Sequence, residues 1–177
     1  MIDGDKSRTN FEKNQIKITT LAAYRTFFGR KSTGQEMKIE LQRINDAFHM
    51  EATNEQGNTV YIDGSPAIGG GNLAMRPMQM LLSALGGCSA IDIINILRKQ
   101  RQPLEDFRVR IEAEREEGAV PSLFTRIHVH FILQGDLKEN KVEKAVNMSM
   151  EKLCYVKMIL DKTAQITWSY EIFPFST

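Results

Sequence analysis

From residue 37 onward the hydrophobic positions follow two periods. "MKIELQRI" alternates through Ile39 and Leu41, and "AFHMEA" and "TVYID" are short strands of the same kind. Asn-Asp and Gln-Gly-Asn turns separate them, so the spacing predicts a three-stranded meander. The Gly-rich loop "SPAIGGGNLAMR" then leads to Pro77, a residue suited to a helix's first turn. From Pro77 to about Gln100 apolar residues such as Leu81, Leu85, Ile91, Ile94 and Leu97 lie on most sides. A helix of that kind is expected to be surrounded by protein. Its last turn, "RKQRQP", brings cations to the negative end of the helix dipole, and Pro103 stops it.

The period then returns to two. Phe107, Val109, Ile111 and Ala113 alternate with charged residues in "FRVRIEAE", and "LFTRIHVHFIL" turns Thr125, Ile127, Val129, Phe131 and Leu133 to one side. "EEGAVPS" between them is a hairpin loop. A second helix is predicted from about Asp136, with Glu139 in the capping-box position and Val142, Val146, Met150 and Leu153 at helical spacing. "QITWSYEIF" closes the chain as a strand carrying Ile166, Trp168, Tyr170 and Ile172 on one face. The order β-β-β-α-β-β-α-β is an α+β pattern: a long buried central helix wrapped by antiparallel sheets.

Composition narrows the class. The chain has 177 residues, 42% of them hydrophobic and 25% charged, enough for one domain with a substantial core. A net charge of +1 points to neither a nucleic-acid partner nor an anionic membrane surface. The longest apolar stretch, about 77 to 97, is interrupted by Gln79, Ser83, Ser89, Asp92 and Asn95, which suits a buried helix better than a membrane span. Two cysteines and no secretory signal fit a reducing, cytoplasmic setting. Residues 1–15 are polar and without period, and residues 16–36 have a brief apolar centre between charged flanks, too short for a signal peptide. They contain Asp3, Asp5, Glu12 and Glu36, unlike a transit peptide, and are expected to be an extension preceding the domain at 37–177.

The candidate chemistry centres on Cys88, in "LLSALGGCSAIDII", and Cys154, in "MEKLCYVKMIL". Either could be packing material, since free cysteine is among the most buried residue types. Cys88 sits about three turns inside its helix, too far from the N-terminus for the dipole to favour a thiolate. Asp92, four residues on, would raise its pKa. Function is favoured by the pairing: each helix carries one inward cysteine. Gly86 and Gly87 cost helix stability, roughly 1 kcal/mol each, which makes sense where another element approaches closely. If that element is the helix holding Cys154, the two sulfurs could exchange between dithiol and disulfide.

Other motifs give less. His128 and His130 share a strand face, a spacing able to serve a metal, but no third ligand is evident, and solvated residues are the simpler reading. "GGGN" at 69–72 lacks a P-loop's Lys-Ser/Thr and is expected to be a flexible loop. Met75, Met78 and Met80 could line an apolar ligand site or simply fill core.

With these residues in place, "RPMQMLLSALGGCSAIDII" resembles the central-helix signature of the OsmC/Ohr superfamily. "MEKLCYVKMIL" followed by "ITWSYEIF" resembles the segment that holds the family's second cysteine. The likeness spans about residues 37–173. It implies an intertwined homodimer with sites near the dimer interface, and a thiol peroxidase that reduces organic hydroperoxides. Carried onto this chain, Cys88 would be the peroxidatic residue and Cys154 the resolving one. A small apolar hydroperoxide would be substrate, an external dithiol the reductant, and no cofactor or metal is needed. The family's peroxidases place an acidic residue just after the helix-opening Pro, where this chain has Met78 and Gln79. Their arginine comes from the first hairpin turn, here "INDA"; Arg43 and Arg76 are the nearest in sequence. The alternative reading is a non-enzymatic dimer binding a small apolar molecule near Met78, Met80 and Cys88.

Overall fold

A computed structural model describes residues 37–174 of the chain. The expected extension at 1–36 lies outside the described residues. Among the described residues, 37–42 and 52–60 form one compact unit, and 43–51 and 61–174 form the other.

Three short strands, β1 (Ile39–Arg43), β2 (Met50–Asn54) and β3 (Thr59–Ile62), form a sheet in chain order, as the alternation predicts. Connections this short permit only antiparallel neighbours. Asparagine builds both turns. Asn45 Oδ1 accepts the N–H groups of Ala47 and His49, and Asn54 Oδ1 accepts those of Gln56 and Asn58. Ile39 and Leu41 alternate as read, yet both remain exposed in the single chain.

The Gly-rich loop is organised rather than slack. Asp63 is buried, and its two oxygens accept the N–H groups of Gly64 at 2.7 Å and Leu73 at 2.9 Å. These backbone bonds, led by that from Leu73, hold its carboxyl below the ordinary range. The loop is also tight: a Cβ at Gly70 would lie 2.2 Å from the Gly64 carbonyl oxygen, which a side chain cannot occupy.

Helix α1 spans Pro77–Lys99. It closes with the paired bonds of a Schellman motif: the Arg101 N–H donates to the Arg98 carbonyl and the Gln102 N–H to that of Leu97. Arg101 thereby takes a left-handed conformation (φ 55) that L side chains adopt at a cost. Arg101→Gly is therefore expected to stabilise the fold by roughly 0.5–1 kcal/mol, after allowing for glycine's greater freedom in the unfolded chain. Urea denaturation of both proteins checks this, and an unchanged or lower midpoint would count against it.

Strands β4 (Leu104–Arg115) and β5 (Phe124–Gly135) pair antiparallel, with Val109 opposite Phe131 and Ile111 opposite Val129. Strand β6 (Gln165–Phe173) joins the other edge of β5 but runs parallel to it. The expectation of purely antiparallel sheets is corrected here. The helical stretch after β5 carries the chain back along the sheet, so β6 restarts in the same direction. That stretch contains α2 (Glu139–Met148), a π-helical turn (Ser149–Leu153) and α3 (Tyr155–Leu160). Its start also differs from the reading. Lys138, not Asp136, occupies the cap position, and no side chain closes a capping box.

The core lies between the sheet's apolar face and the helices. Leu85, Ile93 and Leu97 of α1 meet Val129, Phe131 and Leu133 of β5 and Val142 and Val146 of α2, all buried. Burial of α1 is one-sided, however. Ile91 is 71% exposed and Ile94 40% exposed, so the single chain leaves uncovered a face that the composition placed inside.

Candidate dithiol site

Cys88 and Cys154 come together from segments far apart in the chain. Cys88 is half-buried in the middle of α1; Cys154 is fully buried. Cys154 does not continue a regular helix, as the stripe from Met150 predicts. The ladder widens into the π turn and then breaks at Cys154, whose backbone is extended (φ −69, ψ 99) before α3 begins. The break is held by two backbone bonds. The Cys154 N–H donates to the Ser149 carbonyl at 2.9 Å, and the Cys154 carbonyl accepts the Met158 N–H at 3.1 Å. Interruptions of this kind re-aim one side chain out of the helical pattern.

The freed thiol points at α1. Cys154 Sγ reaches the Leu85 carbonyl at 3.9 Å, a weak S–H donor contact. Its other neighbour is the Cys88 thiol, which acts on its ionisation. Burial is the main influence on Cys154 and pushes its pKa from the ordinary 9.0 to about 12. The Lys157 N–H opposes that shift, while Cys88 and the charge of Asp92 add to it. Cys154 is thus a neutral thiol at physiological pH. Because the folded value exceeds the unfolded one, the native state holds this proton more tightly. That contribution to stability is complete below about pH 9 and is lost as pH rises toward about 12.

Exposure and ionisation together predict selective labelling. At about pH 8 a group with that pKa is thiolate in about one molecule in 10⁴. Iodoacetamide is expected to modify Cys88 of the reduced native protein at least about 100-fold faster than Cys154. Peptide mass spectrometry checks the order; equal rates would contradict the burial described.

Around the thiols lies a small polar cluster. The Ser89 hydroxyl donates back to the Leu85 carbonyl at 2.8 Å. Ser149 Oγ lies 3.3 Å from the Ser89 carbonyl and 3.3 Å from Asp92 Oδ2. Both serines are completely buried. Helical period alone places Asp92 on the Cys88 face but not Ser149 beside it, because nothing in "NMSMEKLC" marks the π turn that directs it inward.

The glycines behave differently from expectation. Strand β4, not the segment of Cys154, approaches Gly86: a Cβ there would lie 2.9 Å from Ile111 Cδ1. Gly87 has nothing within 4 Å of such an atom. It opens onto a groove of about 470 Å³ between α1 and β4, lined by Leu82, Gly86, Ala90, Ile94, Phe107 and Ile111 among others. None of Met78, Met80 or Cys88 lines this groove, so it is distinct from the ligand site envisaged around those residues.

The remaining candidates are engaged structurally. Gln79 Oε1 accepts the Arg76 N–H at 2.9 Å, so the side chain nearest the family's acidic position caps the helix. His128 bridges Thr167 Oγ1 and Ser169 Oγ, each at 2.8 Å. His130 reaches Ser169 Oγ at 2.8 Å and Glu171 Oε1 at 3.1 Å. These residues stitch β5 to β6 on the outer face of the sheet. Among the described residues no cluster of three or more His, Cys, Asp or Glu side chains is placed to hold a metal ion.

A half-buried thiol on a long helix and a buried one at a neighbouring helix break, over a mixed three-stranded sheet, define a two-cysteine α+β protein. The comparisons agree with that architecture. The OsmC-like protein family matches residues 69–169. Protein YhfA of Escherichia coli K12 is 47% identical over 117 residues, covering 66% of this chain and 84% of YhfA. A structural-genomics structure, 38% identical, superposes with a TM-score of 0.70 over 78% of this chain and 100% of its own. The organic hydroperoxide resistance protein OsmC from Legionella pneumophila shares the fold at 16% identity and a TM-score of 0.59, covering 79% of this chain and 99% of that one. The chain belongs to the OsmC-like family.

Proposed function

We propose that this OsmC-like protein is a thiol-dependent peroxidase that reduces organic hydroperoxides through Cys88 and Cys154. The observation that carries the reading is the meeting of the two thiols, the accessible one on α1 and the buried one at the helix break. The Cys88 thiolate attacks the distal oxygen of the hydroperoxide, the O–O bond breaks, and the alkoxide leaves as alcohol after taking a proton. Cys88 becomes a sulfenic acid. Cys154 condenses with it, forming the disulfide and releasing water. An external dithiol then reduces that disulfide in two exchange steps. Cys88 packs against the edge of the hydrophobic core, which favours a hydroperoxide with an apolar tail. A cycle that begins and ends with two free thiols suits a reducing cytoplasm, in a role against oxidative stress.

The working unit is proposed to be a homodimer. Leu82, Gly86, Ala90 and Ile94 recur every four residues along α1 and, with Phe107 and Ile111, form an apolar groove open to water. Exposed apolar surface of this kind favours a partner. By length and mean hydropathy (1.8) α1 could also cross a membrane. Its other side is packed into the core against the sheet, which cannot accompany it into a bilayer, so a second copy is the fitting cover.

A second reading rests on Gln79 and Asn45. Both are used for backbone capping, where the family's peroxidases carry the acid and the arginine-bearing turn. Under that reading the dimer binds a small apolar molecule without chemistry. Turnover separates the two. With excess dithiothreitol, the protein is expected to consume many equivalents of cumene hydroperoxide per chain. Consumption no greater than in protein-free buffer would leave the binding reading.

A further inference from the structure

The outer face of the sheet, turned away from the core, carries a line of side chains that the dithiol cycle leaves unused. Thr167 Oγ1 lies 2.8 Å from His128 Nδ1, and His128 Nε2 lies 2.8 Å from Ser169 Oγ. Ser169 Oγ lies 2.8 Å from His130 Nδ1, and His130 Nε2 lies 3.1 Å from Glu171 Oε1. All four contacts cross one strand pair, because the parallel register sets His128 beside Thr167 and His130 beside Ser169. Ser169 is half-buried and the Glu171 side chain is 43% exposed, so water and small molecules reach the line.

Proton counting gives the line one direction. A carboxylate only accepts, so His130 Nε2 carries the hydrogen that meets Glu171. In the neutral ring Nδ1 is then an acceptor, and the one proton of Ser169 goes to it. The Ser169 oxygen accepts in turn from His128 Nε2–H, and His128 Nδ1 accepts the Thr167 hydroxyl. Every group is paired. A serine hydroxyl that donates to a histidine, whose far nitrogen is held by a carboxylate, is the arrangement that activates a nucleophilic serine. Such a set is recognised by its geometry and not by its place in the chain. Here the ring turns Nδ1 toward the serine and Nε2 toward the carboxylate, and either nitrogen can take the proton.

Beside the His128 and Thr167 end lies a hollow of about 270 Å³, lined also by Glu112, Glu114, Arg126 and Gln165 among others. That is below the roughly 300–1,000 Å³ of pockets for drug-sized ligands, so it suits a small substrate. We propose that this face is a second site, where Ser169 is acylated by small carboxylic esters, with His130 as base and Glu171 as its positioning residue. Ser169 Oγ attacks the carbonyl carbon, and its proton passes to His130 Nδ1. The ester C–O bond breaks, and the leaving alkoxide takes that proton and departs as alcohol. Water, deprotonated by the same nitrogen, then cleaves the acyl-serine, and the proton returns to Ser169 Oγ. The sum is ester plus water to acid plus alcohol. No thiol takes part, so the site stands or falls independently of the dithiol cycle.

A fluorophosphonate tests the nucleophile, since an activated serine oxygen displaces fluoride and keeps the phosphonyl group. Full-length protein is incubated with an ethyl fluorophosphonate, and its peptides are mapped by mass spectrometry. Ser169 is expected to react at least about tenfold faster than Ser122, whose hydroxyl donates to the Glu116 carbonyl at 2.7 Å and has no histidine as acceptor. His130→Gln should slow the reaction of Ser169 at least about 100-fold. Glu171→Gln should lower the inactivation rate constant about tenfold and leave the half-saturating probe concentration within about twofold. A change in that concentration alone overturns the role given to Glu171. Wild type should also consume p-nitrophenyl acetate at least about fivefold faster than Ser169→Ala. Ser169 reacting no faster than Ser122 overturns the proposal, as does a wild type that consumes the ester no faster than Ser169→Ala. The two serines are compared within the wild type, so a variant that fails to fold does not remove the test.

Discussion

Replacing Cys88 by serine is expected to abolish dithiol-dependent hydroperoxide consumption, a fall of more than about 10³-fold. A serine hydroxyl is scarcely ionised near neutrality and cannot be carried through a sulfenic acid, so no other group of the cluster replaces it. Cys154→Ser should behave differently. Its Cys88 still attacks, so one equivalent of hydroperoxide is consumed and the sulfenic acid persists for want of a partner. Dimedone should label Cys88 heavily in that variant and weakly in the wild type, where Cys154 removes the sulfenic acid first. A structural role for both cysteines predicts the opposite pattern: similar, modest losses of stability and no dimedone adduct in either protein. Measuring peroxide consumption beside dimedone labelling therefore separates chemistry from packing.

The second large effect is expected at the groove. Ile94 lines it and is 40% exposed in the single chain. If a second copy covers this surface, Ile94→Asp places an unpaired carboxylate in an apolar interface. The dimer dissociation constant should then rise at least about 100-fold, following the several kcal/mol such a burial costs. Folding of the chain itself should survive, since Ile94 points away from the buried cluster around Leu85 and Ile93. Sedimentation velocity across a concentration series reads this directly. Wild type that sediments as a monomer, or an Ile94→Asp dimer as tight as wild type, would refute the proposed assembly.

Much of the fold was legible because its signals are local. Alternation in "FRVRIEAE" and "LFTRIHVHFIL" marks strands with one apolar face, and Pro77 marks the start of α1. Strand direction was less accessible. Nothing within "QITWSYEIF" distinguishes a parallel neighbour from an antiparallel one; the path of the intervening helices decides it. The dithiol site divides in the same way. Cys88 and Asp92 share a face of one regular helix, so their proximity follows from the period. Ser149 and the aim of Cys154 depend on a π turn and an extended residue, which the helical period of Val142, Val146 and Met150 conceals. The glycines show the same limit. Their cost to the helix is readable in sequence, but Ile111 of β4 meets Gly86 and open groove meets Gly87, and only tertiary packing assigns those neighbours. Exposure of Ile91 belongs with them: a chain alone cannot cover a helix that is apolar on most sides.

The central claim is that Cys88 and Cys154 form one redox unit, and a single-turnover experiment addresses it. Fully reduced protein is treated with one equivalent of cumene hydroperoxide per chain, residual thiols are alkylated, and peptides are mapped by mass spectrometry without reduction. The account predicts a Cys88–Cys154 disulfide, a loss of two hydrogen masses from the chain, and stoichiometric conversion of hydroperoxide to cumyl alcohol. Recovery of both cysteines as alkylated thiols, with the hydroperoxide intact, would contradict it.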